Sequence, residues 1–221
     1  MITINRLLSW AICLSTALFI SYAPVSDAQI IDGPTVSLAS LTNGQTVIVG
    51  DKAFTDFSIS GDFQANQVNV TPITENGDFG IRFSGGFTSG GTPMGMTLGY
   101  QVSVTNSLNL ISAANLLFNG VVVAGAGTAQ VTEQIFTNNT FYGQMSVFAT
   151  QTSTVSSASL AIVPPQSLLT INKNVSLTAT VPAFSSISTI DQTFTQVPEP
   201  SAMVLVAAGF GGLALLRRRR S

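Results

Sequence analysis

The feature that most constrains the fold is a regular alternation of apolar and polar residues through the middle of the chain. The clearest run is 96–105, where Met96, Leu98 and Tyr100 alternate with threonine, glycine and glutamine. Successive side chains of a β-strand point to opposite faces of the sheet, so this pattern predicts a strand with one buried face. Similar alternation occurs at residues 67–71, 79–83 and 175–181, and weaker strands are expected at 143–150 and 160–163.

Residues that tolerate a positive φ separate these predicted strands. Asn76–Gly77, Asn119–Gly120 and Asn138–Asn139 are examples. Such turn signals recur roughly every 8–15 residues, and the outward positions are rich in serine and threonine, which is typical of all-β domains. The sequence therefore predicts an antiparallel β-sandwich, jelly-roll-like, over residues 29–196.

The apolar positions of the alternating segments define the predicted core: Phe54, Phe57, Val68, Val70, Ile81, Phe83, Leu98, Tyr100, Val102, Leu177 and Ala179. Residues 109–118 fit a helical face as well as a strand, and we assign them to a strand. The run Val121–Val123 has no polar residue between its apolar ones, so burial on both faces is expected.

The available side chains limit the chemistry. Histidine is absent and the single cysteine is Cys13, which excludes Ser-His-Asp and Cys-His catalysis and Cys/His zinc sites. Loop carboxylates suit calcium, but Asn76–Gly77–Asp78 lacks the Asp-x-Asn-x-Asn-Gly pattern, so we predict no metal site. We also predict no cofactor and no enzymatic activity, since carboxylates are the only catalytic groups available and most lie in turn-like contexts. Residues 29–196 carry three cationic and eight acidic side chains, which makes nucleic acid a poor partner.

Residues 1–28 have the organisation of a secretory signal peptide. Arg6 supplies a positive charge, the stretch 7–20 is mostly apolar, and small residues stand at Ser26 and Ala28. This pattern predicts export through the Sec translocon and cleavage by signal peptidase between Ala28 and Gln29. The alternative is an uncleaved N-terminal anchor.

The C-terminal 25 residues have three parts. Val197, Pro198, Glu199, Pro200 and Ser201 are followed by an uncharged apolar stretch at 202–216 and by Arg217, Arg218, Arg219 and Arg220. A helix over 202–216 would be about 23 Å long, and the arginine side chains can extend its span to the membrane interface. The arginines predict a single transmembrane helix that places the preceding domain outside and the tail in the cytoplasm.

This three-part tail, at 197–221, resembles the PEP-CTERM sorting signal. The matching residues are Val197–Ser201, the glycine-containing stretch 209–213 and the arginines at 217–220. The resemblance implies recognition by an exosortase, which cuts near the Pro-Glu-Pro and sends the domain from the inner membrane to the cell surface or matrix. The alternative is a permanent anchor that no enzyme processes.

A second resemblance lies in Gly50–Phe57, a Gly-Asp-Lys-x-Phe-x-x-Phe block similar to one near the start of other PEP-CTERM ectodomains. The residues themselves predict a turn at Gly50–Asp51 that leads Phe54 and Phe57 into the core. If Asp51 only supports that turn, Asp51→Asn should be mild.

These observations favour an exported, non-enzymatic protein of the envelope, exopolysaccharide or biofilm matrix. One alternative is a carbohydrate-binding module that uses exposed aromatics such as Tyr100, Tyr142 or Phe141. The other is a carboxylate-dependent hydrolase, which would require two acidic side chains facing each other across a cleft.

Overall fold

The computed structural model describes residues 28–30 and 34–199, which form two packed β-sheets. A four-residue helix, α1 (Leu38–Leu41), and a 3₁₀ turn (Ala65–Gln67) lie between strands. The strands are β1 (Ala28–Ile30), β2 (Val36–Ser37), β3 (Thr46–Val49), β4 (Lys52–Gly61), β5 (Val68–Glu75), β6 (Asp78–Ser89), β7 (Met94–Val104), β8 (Asn109–Val123), β9 (Gly127–Thr137), β10 (Thr140–Ala149), β11 (Thr154–Val155), β12 (Ser157–Gln166), β13 (Leu168–Ala179) and β14 (Phe184–Pro198).

The two sheets have eight and six strands. The first has the order β1-β3-β4-β7-β13-β9-β10-β11, and the second has the order β12-β8-β14-β6-β5-β2. All neighbours are antiparallel except β1 and β3, which pair in parallel. The prediction of an antiparallel β-sandwich is confirmed.

The last two long strands are inserted between strands that precede them in the chain. Strand β13 lies between β7 and β9 in one sheet, and β14 lies between β8 and β6 in the other. Each therefore hydrogen-bonds on both sides, and the two sheets are completed only by the final quarter of the described chain. Such pairing between distant segments gives the fold a high proportion of non-local contacts.

The core lies between the sheets and consists of the residues that the alternation predicts. All eleven predicted core residues are buried, and Phe54, Phe83 and Tyr100 are among the largest of the fully buried side chains. The ring centroids of Phe54 and Phe83 lie 6.2 and 5.7 Å from that of Tyr100, which joins residues of the two sheets in one aromatic cluster.

Two of the predicted turns close hairpins between neighbouring strands, whereas the turn predicted at Asn119–Gly120 is wrong because both residues lie inside β8 and pair with β14. Asn76 and Gly77 have φ of 53° and 88° and join β5 to β6. Asn138 and Asn139 have φ of 48° and 62° and join β9 to β10. Positive φ at both central residues gives the turn the twist that a two-residue hairpin requires, and asparagine and glycine tolerate it best.

The assignment of 109–118 to a strand agrees with β8, but the expectation for Val121–Val123 is wrong. Val122 is buried, whereas Val121 and Val123 are each about half exposed. These three residues form the end of β8 and alternate between its faces like any other strand segment. Both faces of this strand segment carry valine side chains, but only the face of Val122 packs against the rest of the domain.

Candidate functional site

Two segments that are distinctive in the sequence, 50–57 and 196–199, meet in the folded domain. Lys52 opens β4, and its Nζ donates hydrogen bonds to Asp51 Oδ1 and Gln196 Oε1, each at 2.5 Å. Gln196 lies near the end of β14, 144 positions further along the chain. Lysine is rarely fully buried unless it is paired, and the two acceptors explain why Lys52 has no exposed surface.

Asp51 also hydrogen-bonds to a third segment of the chain, which contains Thr105 and Asn109. Its Oδ2 accepts a hydrogen bond from Asn109 Nδ2 at 2.9 Å, and its backbone oxygen accepts one from Thr105 N at 2.8 Å. The predicted turn at Gly50–Asp51 is present, with Gly50 at φ +57°. A Cβ at Gly50 would lie 2.5 Å from the ring of Phe79, so no larger residue fits there without movement of that ring. Asp51 therefore does more than support a turn.

The C-terminal segment begins inside the sheet. Val197 and Pro198 are paired with Leu110 and Asn109 of β8, and the backbone nitrogen of Glu199 donates to Leu108 O at 2.8 Å. The pairing of β14 with β6 ends at Phe194, so β14 is an edge strand at Pro198, a position where a missing N–H is tolerated. We refer to Asp51, Lys52, Asn109 and the segment 196–199 as the junction.

A second group of polar side chains lines an open cleft of about 510 Å³. The Oδ2 of Asp78 accepts hydrogen bonds from Thr195 Oγ1 at 2.7 Å and Asn115 Nδ2 at 3.2 Å, and Ser159 Oγ donates to Asn115 Oδ1 at 2.7 Å. Glu75 also lines the cleft and lies 3.7 Å from Arg82 Nη2. These contacts tie the β5–β6 hairpin to β8, β12 and β14.

The three aromatic residues considered for carbohydrate contact do not share a surface. Tyr100 is 1% exposed because its position in the alternation faces the core, so its assignment to an exposed site is wrong. The hydroxyl of Tyr142 contacts the backbone N and O of Val163. Phe141 is 54% exposed and packs edge-to-face on Phe136, with a centroid distance of 5.8 Å.

Sequence reasoning missed a third polar group, which is buried between the sheets. Glu133, Lys173 and Gln192 have no exposed surface. The sequence contains a pattern that could have predicted this group: Lys173 stands between Ile171 and Val175, at a core-facing position of β13. A charged residue at an inward position of an alternating strand indicates a buried polar contact, and Glu133 supplies it from β9.

Comparison with protein-family models identifies the segment that emerges from the junction. Residues 196–220 match the model of the PEP-CTERM protein-sorting motif. The chain carries a PEP-CTERM sorting motif. The motif implies an exported protein that is anchored by a C-terminal membrane region and then processed by an exosortase. Its first residue, Gln196, is also the residue that accepts a hydrogen bond from Lys52.

The structure places only part of the predicted processing signals. Ala28 and Gln29 lie in β1, opposite Thr46 and Val47 of β3. Outside the described residues lie positions 1–27 of the signal peptide predicted at 1–28, the PEP-CTERM residues Pro200 and Ser201, the predicted transmembrane helix at 202–216 and the arginines at 217–220. Within 28–30 and 34–199, no helix is long and apolar enough to cross a membrane.

No curated protein matches the chain. Solved structures with a similar arrangement include TmCBM61 in complex with β-1,4-galactotriose (TM-score 0.31, 13% identity, 65% of this chain and 88% of that chain). The glycosylation-associated protein Gap123 complex from Streptococcus agalactiae has a TM-score of 0.29 and 9% identity, over 62% of this chain and 24% of that one. The active domain of bacteriophage CBA120 tailspike protein 4 has a TM-score of 0.28 and 12% identity, over 66% and 19%.

Proposed function

We propose that the chain is a non-enzymatic protein of the cell surface or extracellular matrix, made as a membrane-anchored precursor and detached by an exosortase. The observation that carries this proposal is the position of the PEP-CTERM motif, which begins in the last strand of a complete β-sandwich. A cut beyond Glu199 would leave all of β14 with the domain, so processing would release an intact folded unit.

The junction supports detachment of the folded domain after its last strand has paired. The backbone nitrogen of Glu199 donates a hydrogen bond to Leu108 O, and Val197 and Pro198 are paired with β8. A protease needs an extended substrate segment without competing backbone pairing, and the backbone of 197–199 is paired with β8 and Leu108. Cleavage before Val197 would therefore require β14 to leave the sheet, whereas a cut beyond Glu199 would leave the described pairings of β14 intact.

The surface of the domain supports a location among polysaccharides. Each of the three basic side chains in the described part of the chain contacts an acidic one: Lys52 contacts Asp51, Arg82 contacts Asp191 and Lys173 contacts Glu133. The outward positions of the strands carry mainly uncharged hydroxyl and amide groups. Such groups exchange hydrogen bonds with sugar hydroxyls, and the acidic surplus gives no electrostatic attraction for nucleic acid. Exopolysaccharide is the partner that we propose.

Cell fractionation tests the sorting part of the proposal. Wild-type protein should be found in the surface or matrix fraction with residues 202–221 removed, whereas the triple variant with Pro198, Glu199 and Pro200 changed to Ala should stay in the membrane at full length. Gln151→Ala with Thr152→Ala, in an exposed loop, is the matched control and should be processed normally. Tail-containing wild-type protein in cells with an active exosortase would contradict the proposal.

A second experiment tests the absence of enzymatic activity. The purified processed protein should release no reducing ends from matrix polysaccharide of the host. Glu75 and Asp78 are the carboxylates that line the open cleft, so they are the residues to examine if release occurs. Hydrolysis that is lost in Asp78→Asn would replace the proposal with a carboxylate-dependent hydrolase.

A further inference from the structure

Three polar side chains from both sheets meet in the core of the sandwich. Lys173 of β13 lies opposite Glu133 of β9 in the sheet register, and its Nζ contacts Glu133 Oε2. Gln192 of β14 reaches across from the other sheet, with Oε1 2.5 Å from the same Nζ. The Lys173 nitrogen is therefore placed between a carboxyl group and the carbonyl of a primary amide.

The surroundings of these groups are apolar and exclude water. Lys173 stands between Ile171 and Val175 along β13, and its Nζ lies 5.9 Å from the ring centroid of Tyr100. Glu133 and Gln192 are likewise without exposed surface. Among the residues that the structure describes, Glu133 Oε1 and Gln192 Nε2 find no hydrogen-bond partner. A buried polar atom without a partner is unfavourable, so the non-covalent arrangement is costly.

We propose that Lys173 and Gln192 become joined by an intramolecular amide bond, with Glu133 as the catalytic residue that moves the protons. The reaction is a transamidation between a primary amine and a primary amide, and its products are a secondary amide and ammonia. It needs no oxidant, metal or cofactor. The leaving group carries away Gln192 Nε2, which is a buried donor without a partner in the described part of the chain.

The neutral Lys173 amine attacks Gln192 Cδ, and a new C–N bond forms as the carbonyl π electrons move to oxygen. Glu133 takes a proton from the attacking nitrogen and delivers a proton to Nε2. The carbonyl re-forms, the bond from Cδ to Nε2 breaks, and ammonia leaves with that electron pair. Glu133 ends in the protonation state in which it began, so its role is catalytic.

The position of Lys173 favours the attack. Burial lowers the pKa of the Lys173 amine well below its ordinary value, because the charged form loses its hydration. A lowered pKa increases the neutral, nucleophilic fraction of the amine. The Lys173 nitrogen contacts the carbonyl oxygen of Gln192, so the carbon to be attacked belongs to the group that it already touches.

The linkage would connect the two sheets covalently. Lys173 and Gln192 are 19 positions apart and belong to consecutive strands in different sheets. No pair of cysteines is available to the chain, whose single cysteine is Cys13. An amide bond would restrict the unfolded chain as a disulfide does, but reductants would not cleave it.

Mass spectrometry of the full chain, expressed with its own export signals and recovered from cells, tests the proposal. The denatured protein should weigh one ammonia less than the mass calculated from its two determined ends. An N-terminal glutamine also loses ammonia when it cyclises, and Gln29 is the predicted first residue of the mature chain. The deficit must therefore be located by digestion, and chymotrypsin is suitable because Phe184 lies between residues 173 and 192.

The digest of the wild-type protein should contain a branched peptide that joins Lys173 to Gln192. The branched peptide should be absent from Lys173→Met and from Glu133→Gln, which keeps the shape of the side chain but not its acid–base function. Lys52→Met is the matched control, because Lys52 also contacts a glutamine oxygen at 2.5 Å but does so beside Asp51, which is partly exposed. This variant should retain the linkage.

Three results would overturn the proposal. The first is a wild-type digest in which the peptides containing residues 173 and 192 are separate. The second is a deficit of one water with a Lys173–Glu133 linkage, which would make Glu133 the acceptor. The third is a branched peptide that joins Lys52 to Gln196 and is absent from Lys52→Met, which would place the bond at the junction.

Discussion

Replacing Asp51 by asparagine tests whether the junction is held by an ion pair. Lys52 is fully buried and Asp51 is 15% exposed, and their charged groups are 2.5 Å apart. Breaking a buried pair costs about 3–5 kcal/mol, because a buried charge is left without its partner. The amide oxygen of asparagine can still accept from Lys52 and Asp51 is partly hydrated, so we expect Asp51→Asn to lower the free energy of unfolding by about 2–3 kcal/mol.

The assay is thermal unfolding of the purified processed protein, with Asp56→Asn as the matched control. Asp56 is exposed and occupies a bulge of β4 at φ +54°, a conformation that asparagine adopts readily. The control should change stability by less than about 0.5 kcal/mol. For a domain of this size, about 2–3 kcal/mol corresponds to a fall in Tm of roughly 4–12 °C. Equal Tm values for the two variants would refute the reasoning.

The same measurement with a chelator separates the ion pair from a metal site. Within the described residues, no group of three or more acidic, histidine or cysteine side chains could hold a metal ion. The Tm of the wild-type protein should therefore be unchanged by chelation. A calcium-dependent Tm in the wild type that disappears in Asp51→Asn would mean that the Asp51 carboxylate binds metal.

Three further predictions concern packing, the turn and the tail. Phe57→Ala should lower the free energy of unfolding by about 3–5 kcal/mol, since the buried ring stacks on Tyr100 at 5.7 Å, and urea unfolding measures this. Gly50→Ala should destabilise the domain by more than 1 kcal/mol, because φ is positive and the Phe79 ring must move; a stability within about 0.5 kcal/mol of wild type would contradict the contact. Changing Arg217–Arg220 to Gln should cause secretion with the tail attached or poor membrane insertion, seen by immunoblotting of fractions, whereas unaltered processing and yield would show that the arginines are not the stop signal.

Much of the fold follows from local patterns. The alternation at 96–105 gives the position of β7 and the inward orientation of Leu98 and Tyr100, because the pleat of a strand fixes which side chains share a face. Asn76–Gly77 and Asn138–Asn139 give two hairpins, because few residues adopt positive φ easily. Each of these inferences uses neighbouring residues only.

The order of the strands and the junction could not be predicted in the same way. No pattern among neighbouring residues predicts that β13 inserts between β7 and β9, because the choice of partner strand depends on the packing of the whole domain. The contact between Lys52 and Gln196 joins segments 144 positions apart. The burial of Lys52 could have been inferred from its spacing to Phe54, since both occupy inward positions of β4, but its partner could not.

The insertion of β14 between β8 and β6 has a consequence for the timing of export. The six-stranded sheet is split into two unconnected parts until residues 184–198 have crossed the membrane, because those residues are the bridge between β8 and β6. The same residues lead directly into the PEP-CTERM motif. Completion of the sandwich and arrival of the cleavage sequence at the outer face of the membrane are therefore one event, and a chain that stalls before this point has neither a finished sheet nor a sequence that the exosortase can cut.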